Sequence, residues 1–521
     1  MSQVLQGFTS FLQKYELDSP GGLFQASLDQ MSPELAHHLR LCAIPHLFSP
    51  RILMLLVPGL SKEKAIEECN FFNELPSVRQ YASSLFAFGE DVRSYLFKQW
   101  LAEYPNEEFI TANRRLTDHF ASGPIEEGAD ADSLRINRVF HEIGADRDKG
   151  FEDLESVLRD RRQHGLLGEC DTLIRVAREY ESVLTDSQRA TLVYHEAKLA
   201  TDRWRWEEAR RLLDQLIANP SLAPELKTKV LVRKGLLDHE NRKWSSAIKS
   251  FKDALDVLKQ VHDQELATRL DYRIKLDLGI TYRDMGELHS AKELMFESLR
   301  QARRVGSNSG MALAYNSLGT LFRKEGEGSA AIKAYQRSLD MLKKDDDSYR
   351  MGQVWNNLGL AFLDERQWKK GEEALHESLD LKASAGDTIG LAKTYNNLMQ
   401  VYRKQQLRDE ALGAGKKALQ YFQEVGDYYD MALVMRNLGR LHRSAKDNAA
   451  ALKYWDDAIK YFERADAQSE AQALKEEITF LKVRKKRRIP WWAWCLYIPA
   501  GLIIFGGLLL FLLGVILVTR L

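Results

Sequence analysis

Asparagine and arginine side chains recur on one helical face in the second half of the chain. Residues at positions i, i+4 and i+7 share a face of an α-helix. That face reads Asn316–Thr320–Arg323, Asn356–Leu360–Leu363, Asn396–Gln400–Arg403 and Arg436–Arg440–Arg443, with Leu276–Ile280–Arg283 one helix earlier. An asparagine amide both donates and accepts hydrogen bonds, which suits a peptide group, and a guanidinium pairs with carboxylates. The chemistry predicted here is therefore recognition of a polypeptide, with no covalent step.

Residue patterns of common catalytic and metal sites are missing from the sequence. It holds no GxxxxGK[ST], GxSxG or HExxH motif. His38 and Cys42 have helical spacing, but Pro45 interrupts the turn that leads to His46 and no fourth ligand is near, so packing is favoured over metal binding. We expect no catalytic residue, no metal and no cofactor, and hence not an enzyme.

The recurring face belongs to a forty-residue period. In most copies a leucine, such as Leu318, is followed by a small or apolar residue, which we call the anchor. Twelve residues after the anchor stands another small residue. A large apolar residue occupies the position sixteen after the anchor in six of seven copies, with Gly415 as the exception. Five anchors lie forty residues apart, at Gly279, Gly319, Gly359, Met399 and Gly439, and two looser copies precede them at Ala197 and Gly235.

Each copy has the pattern of a helical hairpin. The first helix has apolar residues at i, i+3 and i+7, such as Tyr315, Leu318 and Phe322, and a glycine-containing turn follows. The second helix places Ala331 where two helices cross closely and Tyr335 one turn later. One hairpin cannot bury both of its apolar faces, so successive copies must stack.

These offsets of large residue, Leu, Gly, aromatic and Ala resemble the tetratricopeptide repeat over about residues 185–480. The forty-residue unit is similar to the extended repeats of kinesin light chains, Pins-type adaptors and bacterial peptide sensors. The resemblance implies a right-handed α-solenoid whose concave groove binds an extended peptide through first-helix side chains. The candidate peptide-binding residues are Arg283, Asn316, Arg323, Asn356, Asn357, Asn396, Asn397, Gln400, Arg403, Arg436, Asn437, Arg440 and Arg443. The alternative for each residue is a solvated side chain, or one that satisfies a neighbouring loop.

The N-terminal part follows a different pattern. Helices started by a serine are predicted at Ser32 and Ser61, with a short helix from Pro50 between them. A hairpin follows over LPSVRQYASSLFAFG, and two more helices complete a winged-helix-like module. The run LFAFGEDVRSYLFKQWLAEYP resembles the segment before the repeat sensor of STAND-type signalling ATPases, although Gly89 stands where that family often has histidine before Arg93. Lys62 and Lys64 are offset by neighbouring glutamates, so protein contact is favoured over nucleic acid.

Charge and cysteine usage describe a mildly acidic body on a basic, apolar end. The chain has 74 basic and 74 acidic residues, but 482–521 holds seven basic and no acidic residue. The four cysteines are scattered without a paired framework, which favours a reducing compartment, and no secretory signal opens the chain.

The C-terminal end has the pattern of a tail anchor. Residues 491–518 carry no charge, and the part from Ala493 would make roughly 39 Å of helix, enough to span a bilayer. The basic residues before it place the body on the cytoplasmic side, where anionic lipids would attract them. Ala500, Gly507 and Gly514 would also permit a homodimer through this helix. The membrane-interface residues are Lys482, Arg484, Lys485, Lys486, Arg487, Arg488, Trp491, Trp492 and Trp494.

Together these patterns predict a mainly α protein. The expected order is an N-terminal helical extension (1–30), the winged-helix-like module (31–121), an acidic linker (122–150), a degenerate leading repeat (151–184), the repeat array (185–480), a basic collar (481–490), a transmembrane helix (491–518) and a short tail (519–521). The expected function is a membrane-tethered adaptor that captures a protein or peptide at the cytoplasmic surface. The alternative is a regulatory sensor that works with a separate STAND-like ATPase or effector in signalling or defence.

Overall fold

The computed structural model describes residues 24, 28, 29, 31–122, 130–163 and 165–486. These residues fall into two compact units, Met1–Ala267 and Thr268–Leu521. The division lies in the first turn of a helix, inside the span that the sequence predicted as one repeat array. Each unit is described separately below.

Unit 1 opens with three short helices whose starts are set by serine caps. The helices are α1 (Pro33–Leu41), α2 (Pro50–Leu56) and α3 (Lys62–Asn73). The hydroxyls of Ser32, Ser49 and Ser61 each accept a hydrogen bond from the backbone N–H three residues on. Each cap satisfies a donor that a helix leaves unpaired at its start, as the sequence predicted for Ser32 and Ser61.

A two-stranded hairpin follows the third helix. Strands β1 (Val78–Ala82) and β2 (Leu85–Phe88) pair antiparallel, and an isolated bridge joins Phe48 to Phe86. Phe48 packs its ring against Phe72 and Phe88 as well. The bridge and these rings tie the hairpin to the helices, in the helix-and-hairpin order that the sequence predicted.

The linker region contains more structure than its composition indicated. After α4 (Glu90–Ala102) and α5 (Glu107–Ser122), residues 123–129 lie outside the described part, and α6 (Ala131–Ala145) then begins. Asp130 caps α6, whose Val139, Phe140 and Ile143 are buried. The acidic start masked an apolar helical spacing, so the helix replaces most of the expected linker.

The rest of unit 1 is built from antiparallel helix pairs. They are α7 (Arg147–Gln163) with α8 (Leu167–Arg178), α9 (Asp186–Asp202) with α10 (Trp206–Ile217), and α11 (Pro224–Glu240) with α12 (Trp244–Leu258). Side chains forty residues apart meet between α7 and α9, as in the bond from Gln188 Nε2 to Asp148 Oδ1 (2.9 Å). Unit 1 therefore contains contacts at the repeat period before residue 185.

Unit 2 consists of further helical hairpins. Within the described residues, one more helix follows the last hairpin. The helices are α13 (Gln264–Met285), α14 (Leu288–Arg304), α15 (Asn308–Glu325), α16 (Gly328–Lys344), α17 (Ser348–Asp364), α18 (Trp368–Ser384), α19 (Thr388–Gln405), α20 (Arg408–Val425), α21 (Tyr428–Ser444), α22 (Asn448–Arg464) and α23 (Gln468–Lys486). From α15 on, each second helix contacts the first helix of the next hairpin, which confirms the predicted stacking.

A small residue against a large one holds each hairpin together. A methyl group added at Gly319 would lie 2.6 Å from Tyr335 Cε1, and one at Gly359 would lie 2.7 Å from Leu375 Cγ. The sixth copy reverses the sizes: Met399 occupies the anchor, and a methyl on Gly415 would lie 2.8 Å from its sulfur. In this repeat the large residue lies on the first helix and the small residue, Gly415, on the second, the reverse of the other repeats. The interior is therefore still filled.

Candidate functional site

The asparagines of the first helices bond to one another across successive repeats. Nδ2 of Asn357 donates to Oδ1 of Asn316 at 3.0 Å, Asn397 donates to Asn356 at 2.9 Å, and Asn437 donates to Asn396 at 3.2 Å. Each bond spans 41 residues and lies on partly buried side chains. We call these six residues the asparagine ladder.

The ladder fixes which atoms remain for a ligand. In each bond the Oδ1 of the earlier asparagine is the acceptor, so that amide is held in one orientation. The Nδ2 atoms of Asn316 and Asn396 make no hydrogen bond within the described residues, and Nδ2 of Asn356 reaches only Asn357 Oδ1, at 3.5 Å. The half-exposed wall therefore presents N–H donors, which recognise acceptors such as peptide carbonyls.

Four predicted arginines are engaged in ion pairs within unit 2. Arg323 pairs with Asp364 at 2.7 Å, Arg440 with Glu477 at 2.9 Å, and Arg283 with its neighbour Asp284 at 2.7 Å. Arg443 lies 3.9 Å from Glu477. The sequence predicted that these guanidinium groups bind the ligand. In the structure they form ion pairs with carboxylates that lie outside the predicted face.

Three further predicted residues keep free donor capacity around the last rung of the ladder. Arg403 is exposed and makes no ion pair within the described residues. Arg436 is half-buried beneath Phe462, and its Nε has no hydrogen-bond partner there. Burial and then the charge of Arg440 lower the pKa of Arg436. Together with the half-exposed Gln400, these side chains provide N–H donors on α19 and α21 that make no hydrogen bond within the described residues.

The first-helix face of unit 1 carries charge where unit 2 carries amides. Arg162 forms a two-pronged pair with Asp202, and His195 lies 3.4 Å from Glu155. Lys198, one position after its repeat anchor, stands over the ring of Tyr194. Arg233 lies two positions before the next anchor. Sequence reasoning missed this cluster because its two copies are the loosest, although alignment of the anchors could have found it.

Arg93, singled out in the sequence, joins the N-terminal module to α8. Its Nη1 donates to Glu179 at 2.6 Å, its Nε donates to the carbonyl of Pro45 at 3.1 Å, and His46 Nε2 lies 2.8 Å from the same glutamate. Burial alone would raise the pKa of Glu179, but the bond to His46 and the charge of Arg93 lower it. A cavity of about 1030 Å³ opens beside this cluster. The contacts of Arg93 assign it to packing within unit 1.

The histidine, lysine and cysteine residues considered above in unit 1 are accounted for by packing and by contacts within that unit. His38 bonds Glu68 at 2.8 Å, and Lys64 pairs with Glu34 at 2.7 Å. Cys42, Cys69 and Cys170 are buried free thiols.

The predicted anchor and the last four residues of its collar lie outside the described residues. Residues 482–486 end α23, while Arg487, Arg488, Trp491, Trp492, Trp494 and the whole span 491–518 lie outside the described residues. Within the described part, no helix combines the length and apolar character needed to cross a bilayer.

Comparison with known proteins assigns the repeats. The tetratricopeptide repeat family matches residues 270–344 and 390–465, so the chain carries tetratricopeptide repeats. No curated protein sequence matches the chain.

Solved structures extend the similarity to the N-terminal module. A Signal Transduction ATPase with Numerous Domains (STAND) protein with a tetratricopeptide repeat sensor from Pyrococcus horikoshii superposes with a TM-score of 0.50 at 12% identity, over 87% of this chain and 67% of that one. A Rap protein complexed with competence and sporulation factor matches at TM-score 0.44 and 11% identity, over 68% of this chain and 98% of that one. Aspartyl phosphate phosphatase F from Bacillus subtilis matches at 0.41 and 18%, over 71% and 96%. The first similarity is one of fold.

Proposed function

We propose that the chain is an adaptor that binds a protein partner through an extended peptide segment laid along the asparagine ladder. The observation that carries this proposal is the set of amide-to-amide bonds that holds one asparagine Oδ1 in each of three successive repeats and leaves Nδ2 of Asn316 and Asn396 without a hydrogen bond within the described residues. Such ordering costs side-chain entropy in the absence of a ligand, so a ligand that meets these amides finds them already oriented.

The spacing of the ladder fits a peptide backbone. Neighbouring helices lie about 8–10 Å apart, and an extended chain advances about 3.3 Å per residue. One rung therefore meets every third ligand residue. Carbonyl oxygens would accept from the ladder, and a carboxylate of the ligand would pair with Arg403 or Arg436.

The proposal includes a membrane tether. The uncharged span 491–518, which begins with three tryptophans and is preceded by a basic collar, supports insertion with the body facing the cytoplasm. The tether would confine the partner to the membrane surface and raise its effective concentration there. Contact of the collar with anionic lipids and pairing of two such spans belong to the same proposal.

The test begins with proximity labelling of the full chain to name partners, followed by binding measurements with the purified partner. Asn396→Asp keeps an acceptor for Asn437 but replaces the Nδ2 donor by a carboxylate oxygen that repels a ligand carbonyl. We expect about tenfold weaker binding, since a lost hydrogen bond and a new repulsion together amount to about 1.4 kcal/mol.

Asn448→Asp is the matched control, because it makes the same chemical change on exposed α22, away from the ladder. Equal affinity of both variants and the unchanged chain, with native helicity, would rule out the ladder as the binding face.

A second candidate function is a regulatory sensor that acts with a separate ATPase or effector. The fold shared with the STAND protein favours this candidate, and in it the ATPase is proposed to be a separate chain, since the sequence above holds no GxxxxGK[ST] motif. Nucleotide-dependent co-purification of such an ATPase would support it. A nucleotide-independent partner bound by the ladder would support the adaptor instead.

A further inference from the structure

Two half-buried cations on the first-helix face of unit 1 make no ion pair within the part of the chain that the structure describes. The Nζ of Lys198 lies 5.5 Å from the ring centroid of Tyr194 and makes no ion pair within the described residues. Arg233 has its Nε enclosed without a hydrogen bond and also makes no ion pair there. Partly desolvated cations are normally paired, because burial without a counter-charge costs free energy. Neighbouring Arg162 shows the paired arrangement, with both prongs on Asp202.

The two cations occupy adjacent repeats on one face. Lys198 stands one residue after anchor Ala197, the position of Gln400 after Met399, and Arg233 stands two residues before Gly235, the position of Asn397. The helices that carry them, α9 and α11, are in contact. Arg233 therefore has the position of a ladder donor, whereas the acceptor position three residues before Ala197 is held by Tyr194, one helical turn before Lys198. The charge of Arg233 also acts on Lys198.

The charged groups around Lys198 and Arg233 indicate that this site would accept a further negative group. Burial, followed by the charges of Arg162 and Arg233, lowers the pKa of Lys198 to about 7, and Asp202 and Glu155 offset only part of the effect. Burial raises the pKa of Glu240, which Arg233 partly counteracts. The titratable and charged groups that face Lys198 are Arg162, Asp202, Glu155, His195, Tyr194 and Arg233. Another negative group at this point would relieve the repulsion between the cations.

We propose that Lys198 and Arg233 bind a carboxylate side chain of an acidic peptide segment, and that binding is accompanied by proton uptake at Lys198. This inference rests on the proposed function, since it specifies the chemistry of the polypeptide that the repeats bind. A carboxylate fits better than a phosphate dianion, because Asp202, Glu155 and Glu240 lie close by and would repel a second negative charge.

The sign of the pH dependence follows from the free and bound states. The bound carboxylate favours charged Lys198, so the pKa of the amine rises on binding and a proton is taken up. Binding is strongest below about pH 7 and weakens as the free amine loses its proton above that value. Between about pH 6 and about pH 8 the charged fraction, and with it the affinity, falls about tenfold.

The test uses the full chain in detergent micelles and a fluorescent octaglutamate peptide with blocked ends, measured by anisotropy. We expect the affinity to fall about tenfold from about pH 6 to about pH 8. Lys198→Arg should bind at both pH values with a flat profile, because guanidinium does not titrate there. Lys198→Met should bind about tenfold more weakly at the lower pH. Lys404→Met, an exposed lysine of unit 2, should keep the unchanged profile.

Several results would overturn the inference. They are no binding of octaglutamate, equal binding of an octaglutamine peptide, a Lys198→Met variant that behaves like the unchanged chain, or displacement by excess inorganic phosphate. Native helicity and an unchanged unfolding temperature of Lys198→Met exclude misfolding as the reason for a loss.

Failure of the two proposals is distinguishable. Asn396→Asp tests the ladder with the natural partner, whereas Lys198→Arg tests the cation pair with a defined peptide. A pH-dependent octaglutamate signal that persists when Asn396→Asp leaves partner capture unchanged would support the cation site and contradict the ladder.

Discussion

At the scale of single residues, hydrogen bonds between asparagines serve both packing and recognition. Asn396 accepts from Asn437 through one amide atom and keeps its other amide atom for a ligand. Substitution by alanine would therefore mix loss of stability with loss of binding. The two roles separate only when the donor of the bond and the acceptor of the bond are changed in different variants.

Removal of the donor at the last rung measures the packing role. Asn437→Ala leaves the partly buried Oδ1 of Asn396 without its partner, so the free energy of unfolding should fall by about 0.5–1.5 kcal/mol. Urea unfolding followed by circular dichroism would measure the change. Lys416→Ala, on the exposed side of α20, should leave the value unaltered within about 0.5 kcal/mol. An equal effect of both substitutions would mean that the rung contributes nothing.

A buried histidine makes unit 1 sensitive to acid. His141 is fully buried, its Nδ1 lies 2.8 Å from Asn113 Oδ1, and its ring stacks on Phe120. Burial, followed by the charges of His46, Arg93 and His119, holds the pKa of His141 well below its usual value. The unfolded chain therefore binds more protons below about pH 6.5, and the free energy of unfolding falls as the pH drops, by at most about 1.4 kcal/mol per pH unit.

The variant His141→Gln should flatten that part of the pH dependence, because glutamine does not titrate. Chemical unfolding between about pH 7 and about pH 5 would show a smaller loss for the variant than for the unchanged chain. His262→Gln, at an exposed position of the same unit, is the control and should reproduce the original slope. Identical slopes for all three proteins would contradict the assignment to His141.

At the scale of elements, the hairpins depend on volume matched between two facing helices. Gly319 permits Tyr335 to lie directly against the backbone of α15, and the hydroxyl of Tyr335 lies 3.0 Å from Thr320 Oγ1. Met399 and Gly415 achieve the same filling with the sizes reversed. The repeat thus requires one large and one small residue at this crossing, on whichever helix each stands.

Glycine-to-alanine substitutions at two positions should change the free energy of unfolding in opposite directions. Gly319→Ala places a methyl 2.6 Å from the Tyr335 ring, and the fixed ring must shift, so the free energy of unfolding should fall by about 1–3 kcal/mol. Gly413→Ala lies in a helix with open space around it and should raise the value by about 0.5–1 kcal/mol. Thermal and urea unfolding of both variants would test the difference in sign.

Sequence periodicity predicted the elements better than the bonds between them. Apolar spacing and anchor residues predicted the hairpins, and the i, i+4, i+7 face predicted which side chains share a wall. The contact from Asn397 to Asn356 was not foreseen, because it depends on how far each hairpin is rotated against the last. Ion pairs of Arg323 and Arg440 were missed because Asp364 and Glu477 lie outside the predicted face. Helix α6 was missed because acidic residues at its start resembled a linker.

At the scale of the whole molecule, the proposed tether is separable from the described fold. Helix α23 ends at Lys486, and its Ala471, Leu474 and Ile478 are buried. Removal of residues 487–521 therefore keeps the contacts that these three side chains make with the described residues. We expect the stability of unit 2 and the proposed membrane attachment to change independently.

That separation gives a prediction for the full chain in cells. The unchanged protein should sediment with membranes and resist extraction at alkaline pH, because an uncharged span of this length partitions into the hydrocarbon core. The chain that ends at residue 486 should appear in the supernatant with the same circular dichroism per residue of the remaining fold. Substitution of Arg487 and Arg488 by serine, with the span intact, is the control for charge. Equal sedimentation of the truncated chain would contradict the tether.

The offset of 41 residues in every rung of the ladder constrains how this chain can change its length. A single residue inserted within a first helix, between its start and its ladder asparagine, would rotate that amide by about 100° about the helix axis and break the rung it belongs to. A whole additional unit of forty residues would instead arrive with its own matching amides. Growth or loss of the binding wall in descendants of this gene is therefore expected in complete blocks, by duplication or deletion, and scarcely ever by small steps.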